Sequence, residues 1–313
     1  MKLYTPKYYK DFLCLAGHCP DTCCAGWDVV IDEPSQACYH RTPGPFGARL
    51  KAEMQEDEDG DIIFKAAGGR CPFLSDANLC DIYSTLGEPA LSETCRLYPR
   101  YFNDYGPLQE AGLALSCPEA ARLILENPDP ITFDSIDAIC PHTPEETPDT
   151  KLLDRLVKAR KTGIILLQNR SLPYHERLAL LLDHSVRLTA GLFTSDPQQE
   201  QQLCRQYEKP KSLTLRLSAI KSNNHFCDND LLTAVLELLK KCEHRTTAFT
   251  QQIDAALGFL NTKPTLSASD LWPIRPTQSH YPEHIGVYTL HRYFLESVFT
   301  WEPLIQAQHT AMA

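Results

Sequence analysis

Hydrophobic positions along this chain follow two different patterns, and the change falls near residue 150. Beyond it, Leu152, Leu153, Leu156 and Val157, then Ile164 to Leu167, repeat at three- and four-residue spacing, the period of a helix. Leu178, Leu180, Leu181, Leu182, Val186 and Leu188 repeat the pattern, as do Leu231, Leu232, Val235, Leu236, Leu238 and Leu239 behind possible caps at Asp228 and Asp230. Further helices are expected over 246–262 and 283–299. No alternating strand pattern competes, so residues 151–313 read as a helical bundle.

Residues 1–126 follow a less regular rule. Pro34, Pro43, Gly44, Pro45 and Gly47 interrupt any long element after Ile31. The run Glu56-Asp57-Glu58-Asp59-Gly60-Asp61 reads as an exposed loop or hairpin tip leading into the short apolar stretch Ile62–Phe64. The segment Ser116 to Leu125 reads as a helix, with Ser116 or Cys117 as cap, Pro118 in its first turn and Glu119 favoured by the dipole. Residues 127–150, with Pro128, Pro130, Pro141, Pro144 and Pro148, read as a proline-rich linker. The expected fold class is therefore mainly α: an irregular, cysteine-rich, metal-binding N-terminal domain followed by a helical bundle.

Composition narrows the function classes. A chain of 313 residues has room for two domains. No apolar run approaches the ~20 residues of a membrane-spanning helix, and Met1 to Pro6 has no signal-peptide character, so a cytoplasmic protein with no membrane partner is expected. The net charge of −10 argues against binding nucleic acid, which needs a basic surface. Residues 1–125 hold 11 basic and 18 acidic side chains, so most of the excess lies there. An acidic face would draw a lysine-rich partner, although solubility is the simpler account.

The 13 cysteines change the picture most. Nine fall in the first 117 residues; Cys140, Cys204, Cys227 and Cys242 are scattered over the rest. In a reducing compartment such clustering points to metal or redox chemistry. The first group is Cys14, Cys19, Cys23 and Cys24, with Gly17 and Gly26 supplying tight turns. Adjacent thiols such as Cys23 and Cys24 do not suit one tetrahedral ion, so one packs while the other ligates, or they serve different centres. The second group is Cys71, Cys80, Cys95 and Cys117, with eight, fourteen and twenty-one residues between successive members. Two groups about 46 residues apart suit a centre that pins together two halves of a small domain.

Soft thiolates accept zinc, copper(I) or iron–sulfur clusters. The compact cysteine pairs of zinc ribbons are absent. So is the Cys-x3-Cys-x2-Cys motif of radical S-adenosylmethionine enzymes, because Gly26 stands at its third position. Spacing thus favours an iron–sulfur cluster, with zinc as the alternative. Cys117, at a helix N-terminus, is expected to have a lowered pKa and to complete a ligand set with Cys95. His18 is the one histidine placed for a metal role. The other ten histidines form no constellation, and spacing reveals no Ser-His-Asp or paired-carboxylate motif.

Four separated motifs agree in order with one known family. Cys14-x4-Cys19-x3-Cys23-Cys24-x-Gly26-Trp27, Cys71-Pro-Phe-Leu-x5-Cys80, Leu91-Ser92-x2-Cys95-x2-Tyr98-Pro99-Arg100 and Leu115-Ser116-Cys117-Pro118-Glu119 resemble the flagellin lysine N-methylases, within a wider group of zinc- or iron-chelating cysteine-rich domains. The resemblance covers residues 8–125; past residue 150 only general helical character is shared. It implies methyl transfer from S-adenosylmethionine to lysine side chains of flagellin, with a [4Fe–4S] cluster on the eight motif cysteines and Cys38 outside the set. It also implies that family members continue beyond the point where this chain ends.

Residue chemistry supports methylation only partly. No glycine-rich strand-to-helix loop of the nucleotide-binding type is present, and Ala66-Ala67-Gly68-Gly69 is too short to be one. Lysine methylation needs a neutral amine and groups that orient it. Trp27, Tyr83, Tyr98, Tyr101 and Tyr105 are candidates to line such a site, and Glu93 or Glu110 a candidate base, although a core or surface role is the commoner one for each. Arg96 and Arg100 would pair with the donor's carboxylate or, preferably, neutralise anionic thiolates. Three functions remain in view: a cluster-dependent methyltransferase, a metal-stabilised module that binds a protein such as flagellin, and a redox or iron sensor.

Overall fold

The computed structural model describes residues 2–138, 140–141, 149–194, 204–222, 229–242, 247–262 and 279–312. The chain divides into two units, Met1–Thr147 and Pro148–Ala313. Of the positions named above, Pro144, Pro148, Cys227 and Asp228 lie outside the described residues.

In the first unit, strand β1 (Lys2–Pro6) buries Leu3 and Thr5 on one side, as period-two alternation requires. It pairs with strands from the far end of the unit. Short strands β2 (Val29–Val30), β3 (Met54–Glu56) and β4 (Ile62–Phe64) lie in between, followed by β5 (Arg100–Asp104), β6 (Gln109–Leu113) and β7 (Phe133–Asp137). The main sheet has the order β5-β6-β1-β7. Strand β1 runs parallel to β6 with Leu3 opposite Gln109, and antiparallel to β7 with Leu3 opposite Ile136. Tyr4 and Phe133 stack across the β1–β7 pair at 5.3 Å. Every residue of β6 is buried. Gly112 is required there, because an added Cβ would run into the Tyr101 ring of β5.

The second sheet, β2-β4-β3, is antiparallel. Its β3–β4 hairpin turns at the acidic run. The Asp57 carboxylate accepts the N–H groups of Asp59 and Asp61, and Gly60 takes φ 89°. Helix α1 (Glu33–Arg41) starts at Asp32, which accepts the Ser35 N–H, with Pro34 in the first turn. Helix α2 (Gly44–Glu53) follows. Val29, Ile31, Tyr39, Leu50, Phe64, Phe73, Ile82 and Ala90 form the core between these elements. The Tyr39 hydroxyl inside it donates to the Ala90 carbonyl at 2.8 Å, as a buried phenol must. Helices α3 (Asp81–Leu86), α4 (Glu93–Leu97) and α5 (Pro118–Leu125) complete the unit. Ala120 of α5 packs with Phe12, Leu113 and Cys117 in a second small core.

Two expectations need correction here. Residues 1–126 are not irregular: two sheets and five helices are ordered around two cores, held by a β1–β6 contact between segments about a hundred residues apart. The segment expected as a linker instead supplies β7, whose Phe133 and Ile136 face β1. The prolines marked its ends rather than its whole length. The chain as a whole is mainly α, with several β-strands.

The second unit is helical: α6 (Thr150–Leu167), α7 (Tyr174–Thr194), a turn of helix at 204–208, α8 (Pro210–Ser222), α9 (Asn229–Lys241), α10 (Thr247–Thr262) and α11 (Tyr281–Met312). Helix α6 packs against α7 and α11, α7 against α8, and α9 against α10. One core gathers Ala159, Leu166, Leu180, Leu188, Tyr207, Leu213 and Leu217. Its buried charges are paired, as burial demands. Glu283 of α11, with no exposed surface, accepts from Arg170 on both carboxylate oxygens and from Arg177 at 2.8 Å. Asp183 accepts from Tyr207 and from both arms of Arg216. Among the described residues no helix is long and apolar enough to cross a membrane.

Candidate functional site

The cysteines fall into two neighbourhoods of the first unit. Cys71, Cys80 and Cys95, together with Cys38, are half-buried against the Tyr39–Phe73 core. The backbone fixes this placement. Cys71 and Cys80 sit at the two ends of a compact loop in which Leu74 N–H donates to the Cys71 carbonyl, Ser75 N–H to Leu79, and Asp81 N–H to Phe73. Cys80 is the residue before α3, and Cys95 lies inside α4, whose Ser92 cap accepts the Cys95 N–H. The Cys71 N–H donates to the Cys24 carbonyl at 2.8 Å, which carries the first cysteine group to this loop. Trp27 Nε1 holds that group from the other side by donating to the Cys23 carbonyl at 2.8 Å.

The thiols feel one another. Burial pushes Cys95 up to about 11, and the nearby Cys80 and Cys23 add to the rise while Ser92 opposes it. Burial likewise pushes Cys71 up to about 11, with Cys95 and Cys80 adding to it and the Phe73 N–H and the Arg49 cation working against it. The Cys24 thiol beside Cys23, and then burial, push Cys23 upward. These shifts mark sulfurs packed in a weakly solvated place without a cation sufficient to ionise them. A thiophilic cation is the kind of partner that deprotonates such a set.

Cys117 belongs elsewhere, in the Phe12–Leu113 core, where Cys19 and Cys14 are the thiols that act on it. The helix-N-terminus effect expected for it is present, since the Glu119 and Ala120 N–H groups ease its ionisation, but burial outweighs them and its pKa is raised. Cys95 and Cys117, expected to complete one ligand set, thus have different thiol neighbours. Among the described residues no group of three or more His, Cys, Asp or Glu side chains is positioned, as it stands, to hold a metal ion. In its chemistry the donor set Cys71, Cys80, Cys95 and Cys23 or Cys24 suits a soft metal centre. What brings these sulfurs into one neighbourhood is their shared packing and their mutual effect on ionisation.

The other candidate residues separate. Trp27 and Tyr98 lie with their rings 6.4 Å apart, and the Tyr98 hydroxyl is 3.1 Å from Ser116 Oγ. Tyr83 is 54% exposed on α3, Tyr101 lies over Gly112, and Tyr105 is buried, so no single aromatic wall forms from these five among the described contacts. Glu110 is fully buried in β6, and Glu93 donates its N–H to Asp32. His18 is exposed, and Arg96 points to solvent. Arg100 lies over the Phe12 ring at 5.1 Å and near Tyr9 at 6.0 Å, which fits a cation–π role rather than neutralisation of thiolates. Gly68 and Gly69 form the two-residue turn of a tight hairpin between Ala67 and Arg70, not a phosphate cradle.

One functional candidate was invisible in the sequence. Arg49 of α2 donates to the Pro72 carbonyl at 2.5 Å and to the Asp81 carboxylate at 2.8 Å, and lies over the Phe73 ring at 4.8 Å. It therefore touches the residue after Cys71 and the residue after Cys80. No local signal tied an arginine 22 positions upstream to those thiols.

With this geometry in place, known relatives can be set beside it. The chain is 32% identical over 133 residues to the flagellar biosynthetic protein FliU of Salmonella muenchen, spanning 77% of that protein and 40% of this chain.

The chain belongs to the flagellin lysine-N-methylase family.

It is also 31% identical over 130 residues to the lysine-N-methylases of Salmonella choleraesuis and Salmonella typhimurium. It spans only 32% of the length of each of those lysine-N-methylases. No family model matches the chain, and no solved structure matches it. The names of these family members agree with a methyltransferase, and with a flagellar setting for it.

Proposed function

We propose that this chain takes part in S-adenosylmethionine-dependent methylation of lysine side chains on flagellin, with an iron–sulfur cluster held by thiols of its first unit. Net transfer replaces one hydrogen on the lysine Nζ by the sulfonium methyl group, releasing S-adenosylhomocysteine and a proton. The single observation that carries the reading is the thiol group Cys71, Cys80 and Cys95, joined through the Cys71–Cys24 backbone bond to Cys23 and Cys24, in a member of a family that includes lysine-N-methylases. These thiols would hold the cluster. When bound, such a cluster supplies electron transfer or a Lewis-acidic iron. The half-buried sulfurs shield the centre from water, and the core behind them fixes two loops and a helix around it. The surplus of acidic side chains suits a lysine-rich surface on the substrate.

A second reading rests on the same thiols. Their packing against the Tyr39–Phe73 core also suits a structural zinc that holds a flagellin-binding module together. Metal and acid-labile sulfide analysis of the anaerobically purified chain, beside its visible spectrum, separates the two. Iron and sulfide in equal amounts, followed by methyl incorporation into flagellin from labelled S-adenosylmethionine, support the enzyme. Zinc without sulfide, or a cluster with no binding of the methyl donor, overturns it.

A further inference from the structure

We propose that Arg49 is a positioning residue of the thiol centre: its guanidinium bridges the residue after Cys71 and the residue after Cys80 and so braces, beyond the backbone bonds, the stem from which the two thiols project. The inference rests on the reading that these thiols hold a metal. Three contacts define the bridge. Nη2 donates to the Pro72 carbonyl at 2.5 Å, Nη1 donates to Asp81 Oδ2 at 2.8 Å, and the planar group lies over the Phe73 ring at 4.8 Å. Phe73 is itself locked in the core, with 1% of its surface exposed, so the guanidinium is held against a fixed base.

At its stem the loop between the two cysteines is tied by backbone bonds, Cys71 N–H to the Cys24 carbonyl and Asp81 N–H to the Phe73 carbonyl, beside an antiparallel bridge between Leu74 and Cys80. Nearer the tip, Ser75, Asn78 and Leu79 are tied to one another, and Leu74 N–H donates to the Cys71 carbonyl. Only Arg49 ties the Pro72 carbonyl to the Asp81 side chain among the contacts described. Two donors on separate nitrogens of one rigid plane reach both partners while the plane stacks on Phe73; a lysine carries its donors on a single nitrogen and offers no such plane. Outer groups that orient ligands typically change metal affinity by ~10–100-fold when removed.

Arg70 supplies the control. Its Nη2 reaches the Ser75 carbonyl at 3.2 Å and Asn78 Oδ1 at 3.3 Å, on the same loop but at its tip. A purely structural role for loop-bound arginines would make Arg49 and Arg70 equivalent.

The test uses the reduced, metal-stripped full chain and cadmium(II) alone as probe, followed by the ultraviolet absorbance of cadmium–thiolate bonds. Thermal unfolding is recorded in parallel. Arg49→Gln should weaken cadmium binding by about 10-fold or more, Arg49→Lys should fail to restore it, and Arg70→Gln should stay within about twofold of the parent. Equal binding by Arg49→Gln and the parent overturns the proposal, as does full rescue by lysine or an equal loss in Arg70→Gln. Iron and sulfide content of the untreated parent decides the cluster reading separately. A parent that binds cadmium but carries no iron sinks the cluster and leaves Arg49 judged on the cadmium result; a parent that binds no cadmium overturns both.

Discussion

Asp32 and Glu93 are joined by a 2.6 Å hydrogen bond from the Glu93 N–H to Asp32 Oδ2, so one carboxylate caps two helices. The same side chain accepts the Ser35 N–H at 3.0 Å and the Ser35 hydroxyl at 2.9 Å. It thereby couples the start of α1 to the start of α4, and α4 carries Cys95. Burial alone would raise the Asp32 pKa, but the N–H and hydroxyl donors around it outweigh burial and hold it below the ordinary carboxylate range.

Asp32→Ala should therefore destabilise the first unit by about 1–3 kcal/mol, the range for losing a cap and leaving N–H donors unpaired. Because the folded-state pKa is depressed, the stabilisation is present above the unfolded value near 4 and is lost as pH falls through the folded one. Urea titrations at pH 7 and pH 3 check this: the parent and the variant should differ clearly at pH 7 and converge in acid. A difference that persists unchanged at pH 3 would contradict the assignment.

His184 should make the second unit acid-sensitive at a milder pH. It is 2% exposed, and burial lowers its pKa to about 4; Asp183 partly opposes the shift and Arg187 adds to it. Tyr207 packs edge-on at 5.0 Å, and Cys204 Sγ lies 4.0 Å from Nε2, so with Asp183 and Arg187 these are the groups acting on the ring among the described residues. The unfolded chain binds a proton near pH 6.5 that the folded one refuses, so stability falls as pH drops from about 6.5 towards 4. The loss at pH 5 is about 2 kcal/mol. His184→Phe should flatten that part of the stability–pH curve, as read from unfolding midpoints between pH 7 and pH 5.

Glu283→Gln should be among the most damaging single changes in the second unit. Burial alone would raise Glu283, but Arg170 and Arg177 outweigh it and hold the carboxylate ionised. Removing the charge strands the buried Arg177, whose Nη1 would keep only its bond to the Leu167 carbonyl. Breaking one side of such a pair costs about 3–5 kcal/mol. Arg177→Met together with Glu283→Gln should be less harmful than the sum of the two single changes; strict additivity in denaturant unfolding would show that the pair is not coupled.

Cys→Ser at Cys71, Cys80 or Cys23 should abolish metal loading and loosen the first unit, while the same change at Cys204 or Cys242 should leave metal content intact. Cys204 and Cys242 belong to the second unit, and Cys242 is exposed. Metal per chain and proteolysis of residues 1–147 provide the measurement. Equal metal content in all five variants would defeat the assignment of the centre to the first unit.

The helical half was legible because its signal is local. Leu153, Leu156, Leu166 and Leu167 of α6 and Leu180 and Leu188 of α7 are buried as their spacing requires. The acidic run was legible as a hairpin tip before Ile62–Phe64, but the strands of the main sheet were not. Gln109-Glu110-Ala111-Gly112-Leu113 has no alternation because β6 is buried on both faces, and its parallel partner is β1, far away in sequence. Pro34 and Pro45 read as breakers, yet each stands in the first turn of a helix, where a missing N–H costs nothing. Asp32 ahead of Pro34 was the available sign of a helix start. Of the site, the cysteines were legible by clustering, but their sorting was not. The Cys71–Cys24 backbone bond groups one set, and burial of Cys117 beside Phe12 removes it to another.

The position of β1 has a consequence for how the protein is made. Within this unit β1 is made before its partners yet is an inner strand of its sheet, flanked by β6 and β7, so it has no partner until residue 113 has emerged and no complete set until residue 137. All nine N-terminal cysteines have been synthesised by then. For that interval, some seconds at roughly 5–20 residues per second, the first unit lacks its finished main sheet. The two ends of the unit therefore depend on each other: a chain cut before β7 leaves β1 with one edge unpaired, and a chain cut before β6 leaves it with neither neighbour.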